Sequence, residues 1–128
     1  MVPKTNMGLI ETKARIRTMK QYVIDQLRES DYYQIRDYLE QRAKKTVLDK
    51  IYQIDLPADL YTETQAVHRD CQPFYFAINL TRKQVSFEWL IRSHQTLRCG
   101  CIGYATPEQR DHIISFADSM LDQLKIKI

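Results

Sequence analysis

No apolar run in this chain approaches the roughly 18 residues that a membrane-crossing helix requires. Its first residues, Met1-Val2-Pro3-Lys4-Thr5-Asn6, lack the apolar core of a secretory leader. Both absences point to an intracellular, cytoplasmic protein that does not engage a membrane. Glycine is scarce as well, with Gly8, Gly100 and Gly103 the only three, so no glycine-rich loop is present to cradle a phosphate or an oxyanion. There is no His-Glu-x-x-His pattern and no pair of carboxylates spaced for acid-base work. Nucleotide-dependent enzymes and zinc proteases are therefore unsupported, no cofactor is expected, and a non-catalytic protein is favoured over an enzyme. Cysteine occurs three times, at Cys71, Cys99 and Cys101. A secreted disulfide framework normally uses pairs, so these thiols are expected to be reduced.

What is present is an ordinary globular balance. The 128 residues are 44% hydrophobic and 27% charged, enough chain to bury a core without covalent staples, and they read as one domain over 1–128. The net charge of +3 is unevenly spread: residues 1–53 hold eleven Lys and Arg against seven Asp and Glu, residues 54–128 eight against nine. The N-terminal part is the basic one.

The clearest period lies in 73–105, because successive side chains of a strand point to opposite faces. On that rule Phe74, Phe76, Ile78 and Leu80 share one face of a first strand, and Val85, Phe87, Trp89 and Ile91 one face of a second. Leu97, Cys99, Cys101, Gly103 and Ala105 follow on a third. The polar links Thr81-Arg82-Lys83-Gln84 and Ser93-His94-Gln95 are too short for parallel crossovers. The expectation is a three-stranded antiparallel meander with that face inward. Tyr75, Leu90, Ile102 and Tyr104 make the other face more apolar than solvation requires. It is expected either to be covered by N-terminal helices or to meet a partner.

From Leu9 to Leu56 there is neither Gly nor Pro. Leu9, Ile16, Met19, Val23 and Leu27 form one helical stripe, and Ile35, Leu39, Ala43, Val47 and Ile51 another. A single rod would span about 70 Å, but a heptad begun at Leu9 runs onto Ser30, Asp37 and Lys44 and fails. Ser30 or Asp31 suits a helix cap, and Asp31 with Gln34 has capping-box spacing. An antiparallel helical hairpin over 7–54 is thus predicted. A connector over 55–72 follows, in which Pro57 suits the start of a short helix. Thr106-Pro107-Glu108-Gln109 combines an N-cap, a first-turn proline and a capping box. With the stripe Ile113, Phe116, Ala117, Met120 and Leu124 it predicts a final helix over 106–125 packed on the sheet. The predicted class is α+β, in the order α-α-β-β-β-α.

Three functional classes fit these residues. The favoured one is a protein-protein interaction or assembly module, self-association included. Tyr32, Tyr33 and Tyr38 gather near the predicted hairpin tip between Arg28 and Arg36; with Tyr75, Leu90, Ile102 and Tyr104 they are the candidate docking residues. The second is nucleic-acid binding through Lys13, Arg15, Arg17, Lys20, Lys44 and Lys45, a series interrupted by acids. The third uses His68-x2-Cys71 and Cys99-x-Cys101, either as four ligands of the kind zinc takes or as a cysteine nucleophile activated by His68 or His94. On a regular strand the Cys99 and Cys101 side chains would stand about 7 Å apart, too wide for one tetrahedral ion. Only a bulge or bend at Gly100 would bring them together, so both are expected in the core beneath the last helix.

Overall fold

The computed structural model describes residues 20–45 and 50–127, and they form a mixed α+β fold around an antiparallel sheet of seven strands. In chain order the elements are β1 (Gln21–Ile24), α1 (Glu29–Arg42), β2 (Lys44–Lys45), β3 (Ile51–Asp55), α2 (Glu63–Val67) and β4 (Phe74–Leu80). Then come β5 (Val85–Glu88), β6 (Leu90–Ser93), β7 (Gly103–Tyr104) and α3 (Pro107–Leu124). Single 3-10 turns at Ala58–Leu60 and Arg69–Cys71 lie on either side of α2. The main strand order is β1-β5-β4-β3-β2, and β6 pairs with both β4 and β7. Among the described residues no helix is long and apolar enough to cross a membrane.

The central strand β4 behaves as its alternation predicts. Phe74, Phe76, Ile78 and Leu80 are buried, as are Val85 and Phe87 of β5 and Ile91 of β6. The hairpin between β4 and β5 is closed by Thr81, whose backbone N–H donates to the Gln84 carbonyl (2.8 Å) and whose hydroxyl accepts the Gln84 N–H (3.1 Å). A local threonine turn thus closes a link that contains no Asn-Gly or Asp-Gly pair.

The second predicted strand is interrupted at Trp89. Ile78 faces Phe87 and Tyr75 faces Arg92, so two more residues are used on β5–β6 than on β4 between these pairs. An even excess preserves which side chains face inward, and Phe87 and Ile91 are both buried. At the interruption the Trp89 N–H donates to the Lys20 carbonyl (3.0 Å) and its carbonyl accepts the Ala105 N–H (2.7 Å). Its ring stacks on Tyr22, with centroids 6.1 Å apart. The Phe116 ring instead meets Tyr38, Phe76 and Phe87.

Three expectations are corrected. The helical hairpin over 7–54 is not found: residues 20–45 and 50–54 contain one helix, α1, with strands on both sides, while Leu9, Ile16 and Met19 lie outside the described residues. Gln21-Tyr22-Val23-Ile24 and Ile51-Tyr52-Gln53-Ile54 are rich in β-branched and aromatic residues and take up the two open sides of the β4–β5 pair, β1 on β5 and β3 on β4. Their helical spacing was coincidental, and ladder pairing outweighed it. The third strand expected from Leu97 shortens to Gly103–Tyr104, and Leu97 is 92% exposed. The sheet is consequently larger than a three-stranded meander.

Helices α1 and α3 cover the inward face. Tyr32, Ile35, Tyr38 and Leu39 of α1 and Ile113, Ala117, Met120 and Leu121 of α3 join the sheet residues in one buried cluster. The cap of α3 is the predicted one: the Gln109 N–H donates to the Thr106 hydroxyl and the Thr106 N–H to the Gln109 carboxamide oxygen, both at 3.1 Å. At the start of α1 the box is shifted by three residues from Asp31/Gln34. Buried Asp31 accepts the Arg28 backbone N–H (3.0 Å) and two guanidinium N–H groups (3.1 Å each). The Arg28 side chain holds the Asp31 carboxyl below the usual carboxylate range. A carboxyl lowered in the folded state stabilises fully above its unfolded pKa, and that contribution disappears as pH falls through the folded value. Urea unfolding should therefore show stability falling below about pH 4, with a shallower fall in Asp31→Asn; identical slopes would refute the assignment.

Candidate metal centre

The His68/Cys71 and Cys99/Cys101 pairs lie on segments that are not strands. The first is set by α2. Thr62 caps this short helix, accepting the Gln65 N–H (3.1 Å) while its own N–H donates to Gln65 Oε1 (3.0 Å). The helix ends at His68, whose N–H donates to the Thr64 carbonyl (3.2 Å), and the Cys71 N–H then donates to the His68 carbonyl (3.0 Å). In such a 3-10 turn residues three apart lie one above the other, which puts His68 and Cys71 on one side.

The second pair is set by a tight turn. After β6 the chain leaves the sheet, and the Ile102 N–H donates to the Cys99 carbonyl (3.1 Å). The bend needed between Cys99 and Cys101 is therefore present. It does not depend on glycine chemistry: a Cβ added at Gly100 would meet nothing within 4 Å. The regular strand expected for Cys99 and Cys101 is corrected accordingly, while Cys101 does join the buried core and Cys99 packs against it. Cys101 is buried, whereas Cys99 and Cys71 are half-buried.

One ligand atom from each of His68, Cys71, Cys99 and Cys101 lies within 4.8 Å of the other three, and His68 Nδ1 is 3.2 Å from Cys99 Sγ. In a tetrahedral zinc-thiolate site, with Zn–S near 2.3 Å, neighbouring sulfurs are about 3.8 Å apart. The set therefore needs to contract by about 1 Å at most. Its protons are unevenly held. The backbone N–H of Cys101, followed by its thiol, brings the Cys99 thiol down to about 6. Burial pushes Cys101 up to about 12 and raises Cys71. A divalent cation would stabilise all three sulfurs as thiolates. Donor type, number and spacing fit zinc.

The sequence reading passed over the residues that support this cluster. Gln65 Nε2 donates to the Cys101 carbonyl (3.2 Å), and Gln109 Nε2 donates to Gln65 Oε1 (3.0 Å) and to the Leu60 carbonyl (2.8 Å). Ser93 Oγ donates to the Cys71 carbonyl. The signal for Gln65 was legible, since Thr62-x-x-Gln65 repeats the spacing of Thr106-x-x-Gln109. Ser93 carried none.

The other candidates lie elsewhere. His94 is 2.8 Å from Asp55 and stacks on Tyr75 with centroids 4.2 Å apart. Tyr32 and Tyr38 are buried, while Tyr33 is exposed beneath Arg36 and Arg82; Arg28 is engaged with Asp31. On the side of the sheet away from the helices, Tyr75 pairs across from Arg92 and Leu90 from Tyr104; Ile102 lies outside the strands, half-buried against the core. Lys20 lies over the Tyr104 ring, Lys44 pairs with Asp55, and Lys45 is on β2. Lys13, Arg15 and Arg17 lie outside the described residues. No protein-family model matches the chain, and neither a curated protein nor a solved structure does.

Proposed function

We propose that this chain is a zinc-binding domain in which His68, Cys71, Cys99 and Cys101 hold one structural ion. The observation that carries this reading is the convergence of four ligand atoms within 4.8 Å from segments 28 or more residues apart. Soft thiolates with one imidazole select zinc over magnesium or calcium. Four protein ligands fill a tetrahedral site and leave no position for substrate, the pattern of structural rather than catalytic zinc. The ion would clamp the 68–71 segment to the 99–101 turn, fixing the irregular end of the sheet. That supports a non-catalytic module, with its mixed sheet face left for a protein partner.

Untagged protein purified without added metal should carry about one zinc per chain by elemental analysis. After exchange, cobalt should give the intense visible bands of a tetrahedral thiolate site. Less than a tenth of an equivalent, both as purified and after anaerobic zinc addition, would sink the reading. The contact between His68 Nδ1 and Cys99 Sγ favours a second reading, a cysteine nucleophile. In that case Cys99 would be alkylated by iodoacetamide equally fast with and without zinc.

A further inference from the structure

We propose that Gln65 and Ser93 are positioning residues that assemble the four ligands ahead of the metal, each holding the backbone of the opposite pair. This rests on the zinc reading above. Gln65 belongs to the segment that carries His68 and Cys71, yet its carboxamide donates to the carbonyl of Cys101. Ser93 ends the strand that leads into the Cys99 turn, yet its hydroxyl donates to the carbonyl of Cys71. The two bonds cross between the pairs in opposite directions.

Neither side chain is free to turn away. Gln65 is 3% exposed, and its Oε1 accepts from the Thr62 N–H and from Gln109, so its amide is directed at Cys101. Gln109, 0% exposed, is fixed in turn by Thr106 and Leu60. Ser93 is 5% exposed, and its oxygen accepts the N–H groups of Gln95 (2.9 Å) and Thr96 (3.2 Å). A hydroxyl has one proton, and here it goes to Cys71. Breaking either bond frees a carbonyl of a ligand residue, in a buried place at Cys101 and a half-buried one at Cys71, and that carbonyl will move to find another partner. Neither residue touches the metal. They act on it through the cysteine backbone, as outer partners of zinc ligands do elsewhere, where their loss costs roughly 10–100-fold in affinity.

The test compares Gln65→Leu and Ser93→Ala with the unsubstituted chain, titrating zinc against a chromophoric chelator and recording the spectrum of the cobalt-loaded protein. Both variants are expected to bind zinc roughly 10–100-fold more weakly. At saturation they should keep the tetrahedral cobalt bands. Variants that bind within about threefold of the unsubstituted chain, or that lower only the melting temperature of the metal-free protein, overturn the positioning role and leave the zinc site standing. An unsubstituted chain without cobalt bands overturns both. Should Gln65→Leu fail to fold, Gln65→Glu takes its place. It keeps the acceptor for Thr62 and Gln109 but loses the donor to Cys101, so weakened binding supports the proposal and unchanged binding overturns it.

Discussion

Zinc affinity is expected to fall by roughly 10²–10³-fold when Cys101 is replaced by serine. A structural zinc site of four ligands is worth about 10–16 kcal/mol at neutral pH. One quarter of that, about 3–4 kcal/mol, corresponds to two to three decades in affinity. Serine cannot substitute as a ligand, because its hydroxyl is a hard oxygen that stays protonated where a cysteine yields thiolate. Cys101 is the buried member of the set, so water has the least access to the vacated position. Cys99→Ser should behave alike. His94→Ala is the control, since His94 is held by Asp55 outside the cluster. Chelator competition measures all three, and Cys101→Ser binding as tightly as the unsubstituted chain would remove Cys101 from the ligand set.

Phe87→Ala should cost about 3–5 kcal/mol of folding stability. Phe87 is 0% exposed, faces Ile78 on β4 and Tyr22 on β1, and its ring lies 6.5 Å from that of Phe116 on α3. Its removal opens a cavity at the meeting of both layers, which the surrounding strands cannot close by shifting. Leu97→Ala, which the alternation places on the same inward face, should change stability by less than about 0.5 kcal/mol. Urea unfolding with excess zinc measures both, and equal costs would contradict the burial described here.

Much of the architecture was legible because it rests on local rules. The caps at Thr106 and Gln109, the stripe of α3, and the alternation of Phe74 to Leu80 are set by hydrogen bonds and side-chain directions within a few residues. His68, Cys71, Cys99 and Cys101 were legible as one candidate ligand set, but strand geometry argued against their meeting. Cys99 and Cys101 were placed on a strand because Leu97, Cys99, Cys101, Gly103 and Ala105 alternate after the polar link Ser93-His94-Gln95, and nothing in that alternation separates a turn from a returning strand. The basic helical half was misread for a related reason: Ile51, Tyr52 and Ile54 satisfy a helical period and a strand pattern equally well.

From the sequence alone came the central hairpin and the final helix, since each follows from neighbours in the chain. Tertiary structure decided the rest. Whether Tyr52 lies on a helix or beside Ile78 depends on β4 offering an unpaired edge, and a backbone edge left without partners is costly enough to outweigh a weak helical period. That His68, Cys71, Cys99 and Cys101 converge is a tertiary fact, and a buried glutamine and a buried serine bridge the two segments that carry them. Those bonds join residues 36 and 22 apart in the chain, a separation at which spacing along the sequence carries no information about distance.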